Sequence, residues 1–168
     1  RKMSKKAAVS GNAGRKVRLA PAQSLSRAAC AVIDILFILY LALLLRLTVF
    51  RPGFSFDDFM LGGQLNTVLF GKLIAVIRNG GAYYFFRLFL GNIAAFVPLG
   101  AYLAFRSGRS VALITLIGAL SSAAIEALQF MFDVGFTEID DVVLNTLGAL
   151  LGAAAVRLIA HGTRKKKE

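Results

Sequence analysis

The sequence predicts an all-α membrane protein: a four-helix transmembrane bundle with an interfacial or re-entrant amphipathic segment between its first and second spans. Three observations carry that expectation. The 168 residues are 57% hydrophobic and only 17% charged, against about 45–50% apolar and about 25% charged in ordinary soluble domains. The apolar residues gather into four runs of about 20, the length that crosses the hydrocarbon core of a bilayer. The net charge of +11 is concentrated in the segments that such a bundle would place on one side.

Residues 1–27 are small, polar and basic, from Arg1 and Lys2 to Arg18 and Arg27, with no acidic residue among them. With no apolar periodicity, they are expected to form a disordered basic tail. The first apolar run, about 28–50, is too long for the core of a signal peptide and lacks a small-residue cleavage pattern, so it is read as a retained first span. Further spans are expected at about 85–105, 110–132 and 142–160. The transmembrane domain then covers 28–161, and 162–168 form a second basic tail. Arg106–Arg109 connects the second and third spans and Asp133–Asp141 the third and fourth, whereas about 35 residues separate the first two.

That long connection holds a semi-apolar stretch, 59–81, interrupted by glycines, Gln64, Asn66, Lys72 and Arg78. It is a poor spanning helix. Leu65, Val68, Leu69, Leu73, Val76 and Ile77 recur at helical spacing, which predicts a short amphipathic helix in or re-entering the interface. The N-terminal tail, the Arg106–Arg109 loop and the C-terminal basic run fall on one side, which the distribution of basic residues makes the cytoplasmic one. Both termini are therefore expected inside, in a bacterial cytoplasmic membrane.

The single cysteine, Cys30, excludes an intrachain disulfide and any paired-cysteine motif. The single histidine, His161, lies at an expected helix end, where an interfacial role suits it better than catalysis. No metal or cofactor is expected. The basic tails lack interleaved aromatics, which argues against nucleic acid as a partner and leaves membrane lipids.

A charge within a span costs about 2.5–3.5 kcal/mol on insertion scales and marks a functional candidate. At about 1.5 Å per residue, Arg46, Asn92, Glu126 and Asn145 all lie within about 10 Å of the outer ends of their spans. Glu126 and Gln129 share one helical face, as do Asp141 and Asn145. Gly148 and Gly152 lie on that same face of the last span, where small residues allow close helix approach. Pro98 leaves the carbonyl of Ala94 without its helical partner and offers an acceptor to the interior. Three structural alternatives stand beside the functional one: Asp140 or Asp141 capping the fourth helix, Glu126 and Arg46 forming a packing ion pair, and Asp34 pairing with Arg27 or Arg157.

The same residues resemble a known family. Asn92–Gly100, NIAAFVPLG, resembles the N-x-x-x-F-x-P-L-G signature of VanZ-like proteins; IEALQF and Ile139–Gly152 resemble their E-x-x-Q and D-D-x-x-x-N-x-x-G-x-x-x-G signatures. QLNTVLF (Gln64–Phe70) is similar to the element between the first two helices, with Leu69 where proline is frequent. The matching residues are Asn92, Phe96, Pro98, Gly100, Glu126, Gln129, Asp141, Asn145, Gly148 and Gly152, and the likeness runs from about Leu41 to Leu158. Gly135 stands where many members carry an arginine.

The resemblance implies a polytopic protein of the bacterial cell envelope linked to low-level resistance to teicoplanin-type glycopeptides, with no established catalytic set. The function expected is binding, by Arg46, Asn92, Glu126, Gln129, Asp140, Asp141 and Asn145, of an envelope lipid, a lipid-linked wall precursor or a glycopeptide. Pro98, Gly100, Gly148 and Gly152 are assigned to helix packing. Two alternatives remain: an intramembrane enzyme acting on a lipid-linked substrate, and a structural subunit whose polar cluster specifies packing.

Overall fold

The computed structural model describes residues 25–59, 62–78 and 81–165. Five α-helices follow in order: α1 (Arg27–Thr48), α2 (Gly71–Arg78), α3 (Ala82–Arg106), α4 (Val111–Met131) and α5 (Ile139–Lys165). Two three-residue strands, β1 (Gln64–Asn66) and β2 (Phe136–Glu138), lie between them. Helices α1, α3, α4 and α5 are each long and apolar enough to cross a membrane. The protein is a multi-pass four-helix bundle. Most of the basic tails, 1–24 and 166–168, lies outside the described residues, and 162–165 are helical as the end of α5.

Local chemistry sets the helix ends. The Ser26 and Ser110 hydroxyls accept the backbone N–H groups of Ala29 and Leu113, both at 3.2 Å, and so cap α1 and α4. At the far end of α4, Asp133 adopts φ +49°, while Val134 N–H bonds to the Gln129 carbonyl at 3.0 Å. This is a left-handed helix stop that recovers carbonyls the helix leaves unpaired.

The tightest packing in the bundle is between α3 and α5, and it rests on glycine. A Cβ at Gly100 would overlap the Ala149 carbonyl, one at Gly148 the Ile93 carbonyl, and one at Gly152 the Val97 carbonyl. Gly118 of α4 is closed in the same way by the methyl of Ala149. Backbones this close gain dispersion along their whole contact, the force that joins helices where lipid is as apolar as the side chains. Phe96, Leu99 and Ile125 join Leu44 and Val49 of the first span and its end in one core; Ala104, Ile114 and Ala153 form a second.

Helix α1 is the peripheral span. It leaves Val32, Ile35, Leu36, Ile38, Leu39 and Leu43 more than half exposed, which suits contact with acyl chains. It is tied to α3 by polar groups. Asp34 forms an ion pair with Arg106 at 3.0 Å and accepts the Tyr102 hydroxyl, also at 3.0 Å; its partner is thus neither Arg27 nor Arg157. The choice follows from packing, because α1 lies mainly against α3 and antiparallel to it, which brings Arg106 at the end of α3 to Asp34 near the start of α1. Arg157 instead donates to the Ser107 and Arg109 carbonyls at 2.6 and 2.8 Å, holding the α3–α4 loop. The Tyr40 hydroxyl reaches the Ala95 carbonyl at 2.5 Å.

The long connection is more structured than its periodicity predicts. Among the described residues of 59–81, the α-helix covers Gly71–Arg78, whereas Leu65 lies in β1 and Val68 and Leu69 in the turn after it. Strand β1 pairs in parallel with β2, Gln64 against Phe136 and Asn66 against Glu138. Hydrogen bonding to the α4–α5 loop therefore outcompetes local helix propensity. The eight residues of α2 fall well short of the about 20 needed for a span.

Replacing Gly148 or Gly152 with leucine is expected to separate α3 from α5, at a cost of about 1–3 kcal/mol for overpacking. Thermal unfolding in detergent should show a lowered midpoint for both. Gly162, where nothing lies within 4 Å of an added Cβ, should accept leucine without a shift.

Candidate functional site

The polar side chains collect at the end of the bundle that carries the two strands, where α3, α4 and α5 meet. Two antiparallel helices supply its ladder. On α4, Ser122, Glu126 and Gln129 are successive turns of one face, all buried; on α5 and the strand before it, Asn145, Asp141 and Glu138 run the opposite way. Asn145 Nδ2 donates to Ser122 Oγ at 2.8 Å. One turn nearer the strands, the Glu126 carboxylate accepts the backbone N–H of Glu138 at 2.9 Å, and Thr137 Oγ1 donates to the Glu126 carbonyl at 3.3 Å. The loop between α4 and α5 thus folds back onto the helix it leaves.

The other elements attach to this ladder. Asn92 of α3 donates its amide Nδ2 to Asp141 of α5. Asp140 is buried and accepts the N–H of Phe70 at 2.7 Å. That bond requires Phe70 to take φ +57°, a left-handed conformation that costs a non-glycine residue about 1–2 kcal/mol. Gly63 N–H bonds to the Phe130 carbonyl at 2.7 Å, and Gln129 Nε2 donates to the Thr48 carbonyl at 3.2 Å, bringing in the end of α1. Each of the two aspartates in the first turn of α5, placed where a helix N-terminus favours negative charge, thus gives its Oδ1 to another segment of the chain.

Glu126 is only 5% exposed and Asn145 7%. The charges that act on the Glu126 carboxylate are those of Asp141, Glu138 and Arg51. Arg46 is not among them. It is exposed, and its guanidinium turns back to the Phe50 carbonyl at 2.5 Å, satisfying the end of its own helix. The packing ion pair between Glu126 and Arg46 is absent. Arg51 lies over Gly135, where its guanidinium occupies the volume that a side chain at 135 would need; Gly135 has φ +92°.

Pro98 and Ala94 are exposed. Both thus lie away from the buried polar cluster, and the neighbouring carbonyl of Ala95 accepts the Tyr40 hydroxyl. The rotation follows from Gly100 and Phe96, which need the inner face of α3. The structure thus brings together Asn92, Glu126, Asp141 and Asn145, turns Asp140 to the Phe70 N–H, places Gln129 one turn away against α1, and leaves Arg46 outside. Ser122, Thr137, Glu138 and Arg51 are members that sequence reasoning does not single out. Ser122 had a signal, lying four residues before Glu126 on its face; Arg51 sits in a loop and Glu138 at the end of a three-residue strand, whose partners no periodicity reveals.

Several acceptor oxygens and few cations give the cluster the chemistry of a donor-binding site. Among the described residues, no three His, Cys, Asp or Glu side chains are grouped to hold a metal. At the same end, Phe54 and Phe132 pack with ring centroids 4.9 Å apart, and Phe56 and Phe59 flank Phe132 at 6.1 and 5.2 Å. Phe56 and Phe59 are exposed.

Compared with protein-family models, residues 37–160 match the one described as VanZ/LLP1. No curated protein and no solved structure matches the chain.

Gly135→Ala and Gly53→Ala both place a side chain at positive φ, at 92° and 98°, but only at Gly135 does a Cβ meet Arg51. Gly135→Ala is expected to destabilise by about 1 kcal/mol more than Gly53→Ala. That excess should vanish when Arg51 is also replaced by alanine, a coupling that a double-mutant cycle of detergent unfolding measures.

Proposed function

The chain belongs to the VanZ/LLP1 family, and from that premise we propose that it acts by binding rather than by catalysis. Its ligand is an envelope lipid, a lipid-linked wall precursor or a glycopeptide, taken up by the Asn92–Glu126–Asp141–Asn145 cluster, and binding contributes to teicoplanin-type resistance. The observation that carries this reading is the burial of Glu126 with no arginine or lysine bonded to it among the described hydrogen bonds and ion pairs. A carboxylate inside a membrane bundle is costly and by default functional. The distribution of basic residues supports a bacterial cytoplasmic membrane with both termini inside, so the cluster opens to the outer leaflet.

One observation favours a second reading, in which the cluster only specifies packing. Ser122 and Asn145 bond to each other in full burial, as polar pairs do between membrane helices. The two readings separate on a single substitution. Glu126→Gln keeps shape and an acceptor oxygen while removing the charge. A binding role predicts loss of resistance, or of retained ligand in the purified protein, with membrane insertion and detergent melting unchanged. A packing role predicts that functional loss tracks lost stability across Glu126→Gln and Asn92→Ala.

Orientation has its own test. In a Cys30→Ser background, a cysteine at Asp57 should react with a membrane-impermeant maleimide added to intact cells. A cysteine at Gly108 should react only after permeabilisation.

A further inference from the structure

We propose that the ligand group this cluster receives is a primary ammonium, seated between the α4 and α5 faces with Asn145 beneath it and Glu126 and Asp141 above. The inference rests on the binding function proposed above and names its chemistry. Asn145 is more than nine-tenths buried, and its Nδ2 is committed to Ser122, but its Oδ1 has no partner; it is the one such buried side-chain atom among the described residues. A buried acceptor without a partner is unfavourable, and this one belongs to the side chain that bridges α5 to α4 through Ser122. One turn toward the strands stand Glu126, four residues after Ser122, and Asp141, four residues before Asn145, with charges that act on each other. A group placed there must donate several hydrogen bonds and carry positive charge.

The candidate chemistries separate on those two demands. A hydroxyl offers one donor and no charge. A quaternary ammonium has no N–H for Asn145, and its usual cage is aromatic. Calcium takes about six to eight oxygen ligands, more than the cluster supplies, and among the described residues no three His, Cys, Asp or Glu side chains are grouped to hold a metal. A primary ammonium has three donors on a compact charge, matching one amide oxygen and two carboxylates.

Access is graded along the ladder. Asn145 and Glu126 are buried, whereas Asn92 and Asp141 are half-buried. The way in therefore passes the Asn92–Asp141 hydrogen bond that joins α3 to α5, and the ammonium takes the place of the Asn92 amide at Asp141. Arg51, half-buried over Gly135 and close enough for its charge to reach Glu126, is placed to meet a phosphate carried beside the amine.

Native mass spectrometry of the purified full chain, titrated with phosphatidylethanolamine, phosphatidylcholine or phosphatidylglycerol, tests the assignment. The ethanolamine lipid is expected to be retained about tenfold better than the choline lipid, a difference of about 1.4 kcal/mol. That preference should be lost in Asn145→Leu and Glu126→Gln and kept in Asn145→Asp, which retains an acceptor and a fold-compatible shape. Competition by soluble O-phosphoethanolamine would show that the headgroup suffices; preference without competition would show that the amine must arrive on a lipid. Equal retention of all three lipids, or an undiminished preference in Asn145→Leu, overturns the ammonium while leaving a less specific envelope ligand in place. If no lipid is retained and Glu126→Gln leaves resistance intact, both readings fall.

Discussion

The close approach of α3 and α5 is the constraint on which the rest of the structure depends. At Gly100, Gly148 and Gly152 one helix lies against the backbone of the other, with no room for a Cβ. That contact sets the rotation of both helices about their axes. It turns Asn92 toward Asp141, presents Asn145 to Ser122 of α4, and sends Pro98 to the outside. Close packing is the main attraction available between apolar helices in lipid, so polar groups at this seam are held in place by contacts they do not themselves make.

A second layer of order comes from backbone groups that membrane helices leave unsatisfied at their ends. The segment after α1 and the segment after α4 each have free donors and acceptors, and they satisfy one another: β1 pairs with β2, Gly63 with Phe130, Phe70 with Asp140. The Glu138 N–H then closes on Glu126. A buried carboxylate is thereby built into the joint between two loops and three helices, and a loop shift of even one residue would change what it bonds to. The left-handed φ at Phe70 and at Asp133 is the local strain that this joint sustains.

Helix α1 shows the opposite balance. Its apolar surface is mostly exposed, and its link to α3 runs through Asp34, Arg106, Tyr102 and Tyr40. Phe37 stacks on Tyr102 with centroids 3.6 Å apart. Leu44 and Val49 anchor this span in the apolar core, but with most of its surface exposed it can shift relative to α3 and α5 at lower cost than α5 can, because fewer close-packed atoms separate.

The four spans were legible in the sequence because hydropathy over about 20 residues is a local property that the bilayer reads directly. The shared face of Glu126 with Gln129, and of Asp141 with Asn145, followed equally from the 3.6-residue period of the helix. Asn92 was marked by its depth in the second span and by the family signature it opens. Partner choice was decided only by tertiary structure. Arg46 and Arg51 are both arginines near the end of the first span, yet one caps its own helix and the other lies over Gly135 beside the carboxylate. Leu65 has helical spacing to Val68 and Leu69 and is nonetheless a strand residue, because β2 supplies backbone partners 72 positions later, at Thr137. Periodicity assigns a residue to a face; which residue it meets there depends on rotation, register and loop path, and those are settled only when helices pack and their ends find hydrogen bonds.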